Sequence, residues 1–229
     1  MNRHAALIAA VIAGSTSSAF GTVTWDFEDG TVQGWTSIVG STTGSTATTP
    51  FVSSPSFDGS SDYALHHAPM GVSDLALTYQ FDFSAEARPT LPTEGEFLRF
   101  DVYTPPAGGT SNNWWQDGSV RIWTTAASSP NNNNIHIIKG AFFDAIVGST
   151  ADANTTPQTI IFSIADAPTL AGQEITRIRF IGNKGEGPSN QQMFLDNITM
   201  VPEPGSMGLI LAGSLLLVAR RRRSLIGKA

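Results

Sequence analysis

Between residues 22 and 200 the apolar and polar positions fall into short runs with a period of two. The clearest is "LALTYQFDF", where Leu75, Leu77, Tyr79, Phe81 and Phe83 share one face and Thr78, Gln80 and Asp82 the other. Successive strand residues point to opposite faces, so this run predicts a strand with one face in a core and one in water. Similar runs are "TVTWDFE", "EFLRFDVY", "SVRIWTT", "NIHIIKGAFF", "QTIIFSI", "ITRIRFIG" and "QMFLDNITM", with "GWTSIV" and "DYALHH" less regular. Linkers rich in Gly, Ser, Thr, Asn and Pro separate them, among them "GSTTGSTATTP", "TPPAGGTSNN", "SSPNNNN" and "GNKGEGPSNQQ", all expected to be loops. No long window has helical periodicity, and a short helical turn is expected only at "TLPTEGE". The pattern predicts an all-β fold, an antiparallel β-sandwich (jelly roll) of about ten strands. Trp25 and Trp35 are assigned to its core.

The two ends break this pattern. Arg3, an apolar stretch over residues 5–13 and the small polar "GSTSSAFG" have the layout of a secretory signal peptide, cleaved after Ala19 or Gly21. The expected division is a signal peptide at 1–21, a sandwich domain at 22–200 and a C-terminal segment at 201–229. That last segment reads "VPEPGSMGLILAGSLLLVARRRRS". Its apolar stretch, 207–219, is thirteen residues long with two glycines, short of the roughly twenty needed to cross a bilayer core. The arginines behind it would stay cytoplasmic and leave the body outside. Two prolines around one residue hold the chain extended and stop helix propagating back.

"VPEP", a short apolar helix and "RRRR" in that order resemble the PEP-CTERM sorting signal of Gram-negative bacteria that make extracellular polysaccharide. By that resemblance Pro202, Glu203 and Pro204 are the recognition element for an exosortase, a membrane-embedded transpeptidase that cuts near the triplet. Arg220, Arg221, Arg222 and Arg223 are the stop-transfer charge. An ordinary tail anchor is the alternative. The implied course is export, transient inner-membrane retention through the C-terminal helix, and release to the cell surface or extracellular matrix.

Charge sharpens the expected partner. Losing residues 1–21 and those after Glu203 removes six of thirteen basic residues and none of nineteen acidic ones, leaving seven cations against nineteen anions and a formal charge of −12. Seven scattered cations argue against nucleic acid or anionic lipid, which need clustered ones. The chain has no cysteine, so thiol catalysis, zinc–thiolate sites and disulfides are all excluded.

Aromatic rings stack on the apolar faces of sugars, and "GGTSNNWWQDGSVRIW" is the most suggestive ligand-binding stretch. Trp114 and Trp115 are adjacent, so in a strand they point to opposite sides, one into the core and the other either open to solvent or packed under a loop; Trp123 can go either way. Phe194, Asp196, Ile198 and Met200 share one parity, which sets a carboxylate on an apolar face where it needs a partner or a metal. The opening "FEDGTVQGW" and closing "FLDNITMV" resemble the terminal strands of galactose-binding-like jelly rolls, which include carbohydrate-binding modules. That resemblance implies adjacent first and last strands and a structural Ca2+ held by Glu28 and Asp196. Asp26 is a second candidate. The alternatives are a turn or bulge at Asp196 and an Asp-Gly turn at Glu28 and Asp29.

His66 and His67 face opposite ways on a strand and cannot both hold one ion in simple geometry; they are read as surface or loop-edge residues, and with no third ligand at suitable spacing zinc is weakly supported. Glu94 and Glu96, two apart on a strand, would share a face about 7 Å apart, in range for glycoside hydrolysis. No nucleophile elbow, phosphate-binding glycine loop or zinc-protease helix is present. The expected function is therefore a secreted, exosortase-processed surface or matrix protein, non-catalytic and bound to extracellular polysaccharide or another glycan. A polysaccharide lyase or hydrolase and a purely structural surface protein are the alternatives.

Overall fold

The computed structural model describes residues 21–41, 44–53, 63–67, 69, 71, 74–105, 115–125, 135–147, 157–184 and 192–202. All but Gly21 lie in one compact unit, Thr22–Glu203. The rest of the expected signal peptide, and the sorting tail from Glu203 onward, lie outside the described residues.

Twelve strands occur among the described residues: β1 (Val23–Trp25), β2 (Thr36–Ser41), β3 (Gly44–Thr48), β4 (Phe51–Ser53), β5 (Ala64–His66), β6 (Asp74–Asp82), β7 (Glu96–Tyr103), β8 (Trp115–Thr124), β9 (Ile135–Ile138), β10 (Gln158–Ser163), β11 (Ile175–Lys184) and β12 (Phe194–Met200). They make two antiparallel sheets. The first runs β10-β7-β12-β5-β4, with β1 also paired to β12; the second runs β3-β2-β6-β11-β8-β9. The first strand thus pairs with the last, Trp25 opposite Ile198 and Val23 opposite Met200.

Each expected run contains a strand. The two additional ones are β3 and β4, of which β3 lies inside a stretch read as a loop. It is exposed along most of its length, so it has no apolar face to announce it; pairing with β2 from Ser37↔Thr48 to Ser41↔Gly44 forms it instead. The all-strand reading of "NIHIIKGAFF" is corrected. The strand stops at Ile138, Gly140 takes φ 38°, and α1 (Gly140–Val147) follows. Phe142, Ala145 and Ile146 are buried, at the three- and four-residue spacing of one helical face. The turn expected at "TLPTEGE" is a bridge at Thr90 and bends, without helix.

The core lies between the sheets. Leu77 and Tyr79 of β6, Ile178 and Phe180 of β11 and Val120 and Ile122 of β8 are fully buried with Leu98 and Phe100 of β7 and Leu195, Ile198 and Met200 of β12. Each such side chain contributes about 1.5–3 kcal/mol through removal from water. Tyr79 needs a partner for its hydroxyl, which donates to the Met193 carbonyl at 2.7 Å. Trp25 and Trp35 are in the core as expected, edge to face with centroids 5.5 Å apart.

Two bulges reset the alternation in the first sheet. From Leu98 to Glu96 β7 moves two residues while β10 moves one, from Phe162 to Ser163. Phe97 and Leu98 are consequently both buried, and Glu96 shares the outer face with Arg99. On β12 the register advances three residues from Asp196 to Thr199 against two on β7, and Asn197 in between has φ 48°. Asp196 therefore faces outward beside Asp101, whereas Ile198 and Met200 face the core. The single parity expected for Phe194, Asp196, Ile198 and Met200 is broken at Asn197.

Candidate functional site

The outer face of the second sheet carries the most chemistry. Pairing aligns Asp82 (β6), Arg177 (β11), Trp123 (β8) and Ile135 (β9) in one cross-strand row. Two residues along each strand, and so on the same face, lie Gln80, Arg179, Arg121 and Ile137. The Arg177 Nε–H donates to Asp82 Oδ1, the Gln80 amide donates to Asp82 Oδ2, and the Arg179 Nε–H donates to Gln80 Oε1. The two β11 guanidiniums lie against the Trp123 ring, 4.8 Å away for Arg179 and 5.6 Å for Arg177, within cation–π range. The Arg121 Nε–H is buried without a hydrogen-bond partner. Burial and the neighbouring Arg177 and Arg121 charges hold the Arg179 guanidinium below its ordinary pKa, against the opposing pull of Asp82. Ile137 at the edge is 57% exposed.

The three candidate tryptophans separate. Trp114 lies outside the described residues. Trp115 is buried at 2% exposure, its ring over Gly182, so a sugar approaching from solvent cannot reach it. Trp123 is half-buried on the outer face, beside the polar groups just described. Alternation along β8 could not decide this, because Trp115 and Trp123 have the same parity. A register shift at Asn183/Lys184 intervenes between them.

The candidate metal ligands are placed as follows. Glu28 is exposed in the turn after β1, where its Oε1 accepts the Tyr63 N–H at 3.0 Å. Asp196 is buried, and its Oδ1 accepts the Asn197 N–H at 2.7 Å. The Asn197 amide also donates to Asp101 Oδ2 at 3.0 Å, and the Thr159 hydroxyl donates to Asp101 Oδ1 at 2.5 Å. Asp26 is exposed and accepts from the Gln33 amide at 3.1 Å. Asp29 caps the turn with Thr31, the alternative considered for this stretch. Among the described residues no cluster of three or more His, Asp and Glu side chains suited to a metal occurs. A calcium ion here would share Glu28 with Tyr63 and Asp196 with Asn197, and would need backbone carbonyls to complete its shell.

The histidines differ from expectation: both His66 and His67 are buried. His66 belongs to a file of rings across the outer face of the first sheet. It stands edge to face with Phe51 of β4 at 4.8 Å and flat against Phe194 of β12 at 3.9 Å, and Phe194 lies 5.9 Å from Tyr103 of β7. Each ring is one residue in a short strand, so only strand pairing could have revealed the file. Glu94 and Glu96 do not form a facing pair on a strand: Glu94 is exposed in a bend, and Glu96 is held by two 2.9 Å bonds from Arg99.

No curated protein matches the chain. Solved structures with a similar fold include a carbohydrate-binding module specific for non-crystalline cellulose, at 16% identity and TM-score 0.46, over 77% of this chain and 92% of that one. A family 11 carbohydrate-binding module from Clostridium thermocellum, in complex with a β-1,3-1,4-mixed-linked tetrasaccharide, is 14% identical with TM-score 0.42, over 81% and 98%. The CBM22-1 xylan-binding domain of Paenibacillus barcinonensis Xyn10C is 10% identical with TM-score 0.44, over 79% and 94%. Residues 201–223 match the PEP-CTERM protein-sorting motif, so the chain carries a signal that implies export, exosortase processing and sorting to the cell surface.

Proposed function

We propose that this protein is a non-catalytic, surface-sorted sandwich that binds polysaccharide on the outer face of its second sheet. The observation that carries the reading is Trp123: a half-buried indole lying against Arg177 and Arg179, which are in turn bonded to Asp82 and Gln80 on the next strand. An aromatic ring offers the apolar face of a sugar its contact, and polar groups around it take the hydroxyls. Strands hold these side chains on a rigid surface, which limits the ordering cost of binding. Against the hydrolase alternative, Glu94 sits in a bend and Glu96 is bonded to Arg99, so the two do not face one another as a carboxylate pair. The sorting tail retains the protein at the inner membrane through residues 207–219 until exosortase releases it, and the body then stays with extracellular polysaccharide. A structural calcium at Asp196 and Glu28 is part of this reading; the burial of the Asp196 carboxylate supports it.

The test is affinity electrophoresis of the purified protein through gels containing a panel of neutral and acidic glycans. Retardation by at least one glycan, lost in Trp123→Ala with the melting curve preserved, is the expected result. Retardation by none of them would overturn the reading.

A further inference from the structure

We propose that the Trp123 face selects an anionic polysaccharide, one whose sugars carry carboxylate or sulfate groups. This rests on the glycan-binding reading above and names its substrate class.

Three guanidiniums, Arg121, Arg177 and Arg179, face a single carboxylate, Asp82. Among the described residues their terminal nitrogens have no protein acceptor. Arg179 and Arg121 are direct cross-strand partners, and like charges placed opposite one another destabilise a sheet. A purely structural role would pair each arginine with an acid, and the mature body has nineteen acids to draw upon for its seven cations. Instead three of the seven are gathered on one face. An oxyanion set between the terminal nitrogens of Arg121 and Arg179 relieves that repulsion.

Geometry narrows the class. A guanidinium fork matches the two oxygens of a carboxylate or sulfate. Trp123 in the adjoining row suits the ring of the same sugar, so one acidic residue would use both features. The negative charge of the whole body repels polyanions at long range, which makes the patch a device for discrimination at contact rather than for steering.

The probes are polygalacturonate, a neutral glucan and a neutral xylan, titrated calorimetrically into the purified processed protein. Polygalacturonate should bind more tightly than either neutral polymer, and more weakly as salt is raised. Arg121→Gln and Arg179→Gln should each weaken it by about tenfold or more, the usual loss for a charge-assisted hydrogen bond. Arg99→Gln removes the same charge from the opposite sheet and should change nothing. Arg179→Lys keeps the charge and loses the fork; it should also bind more weakly, and it serves if a glutamine variant fails to fold. Binding of a neutral glycan through Trp123, with no preference for polygalacturonate, would sink this inference and leave the glycan-binding reading standing. No binding of any polymer sinks both, and equal affinity for single-stranded DNA sinks the glycan class.

Discussion

His66 on β5 and Phe194 on β12 stack face to face, with ring centroids 3.9 Å apart and planes 13° from parallel. Neither ring nitrogen of His66 has a hydrogen-bond partner. Burial, assisted by the neighbouring His67, pushes its pKa down from 6.5 to about 4. A histidine whose folded pKa is depressed takes up a proton in the unfolded chain first, so stability is complete above pH 6.5 and falls as pH drops toward 4.

Thermal unfolding measured across that window should show the loss, and His66→Phe, which keeps the stack and removes the titrating group, should flatten it. An equally steep decline in the variant would place the pH dependence elsewhere. His136, also lowered by burial, would be the next group to replace.

Gly182→Ala should destabilise the domain by about 1–3 kcal/mol, the usual cost of overpacking a core. A Cβ there would lie 2.6 Å and 2.9 Å from two carbons of the rigid, buried Trp115 ring. Its cross-strand partner Gly118 presents a milder case, since a Cβ there would meet Cδ1 and Cγ1 of Ile146, an aliphatic side chain with more freedom to turn aside than an indole ring. Urea unfolding should rank Gly182→Ala as the more damaging change, and a neutral Gly182→Ala would show that Trp115 is free to move.

Chelation tests the calcium proposal. An ion held by the native state alone raises its melting temperature by mass action, so EDTA should lower the transition and added calcium restore it. Asp196→Asn should abolish the difference between the two conditions. A transition indifferent to EDTA removes calcium from the account and leaves Asp196 as the acceptor of the Asn197 amide.

Processing should leave Pro202 on the mature protein. The Val201 N–H donates to the Phe97 carbonyl at 3.0 Å, and Pro202 is buried, so the first two residues of the sorting motif are packed into the domain. A protease cleft needs extended, exposed chain, which buried Pro202 does not offer once the domain has folded. The intact mass of the released protein reads the cut site directly, and a C-terminus before Pro202 would mean cleavage precedes folding.

Each strand announced by alternation is present because one buried face selects apolar residues at every second position, a rule that acts within a few residues. Leu77 and Tyr79 in the core and the outward Asp82 follow it, while Gln80 on the outer face is covered by its neighbours. β3 does not, since an exposed strand has no apolar face. α1 escaped notice because two helical turns following a strand carry too few apolar repeats. At Asn197 one residue in a left-handed conformation reverses the sense of the alternation, so parity along the run does not give the side on which Asp196 lies.

The sequence by itself determined the β-sandwich class, the core tryptophans Trp25 and Trp35 and the sorting tail, all of which depend on local periodicity or contiguous motifs. Only the tertiary structure decided which charges and rings meet. Arg121, Arg177 and Arg179 looked scattered along the chain, yet the pairing of β8 with β11 makes them neighbours around Trp123. Pairing partners are chosen by the packing of whole sheets against one another, an energy shared over many residues far apart in sequence. No single run of residues contains it.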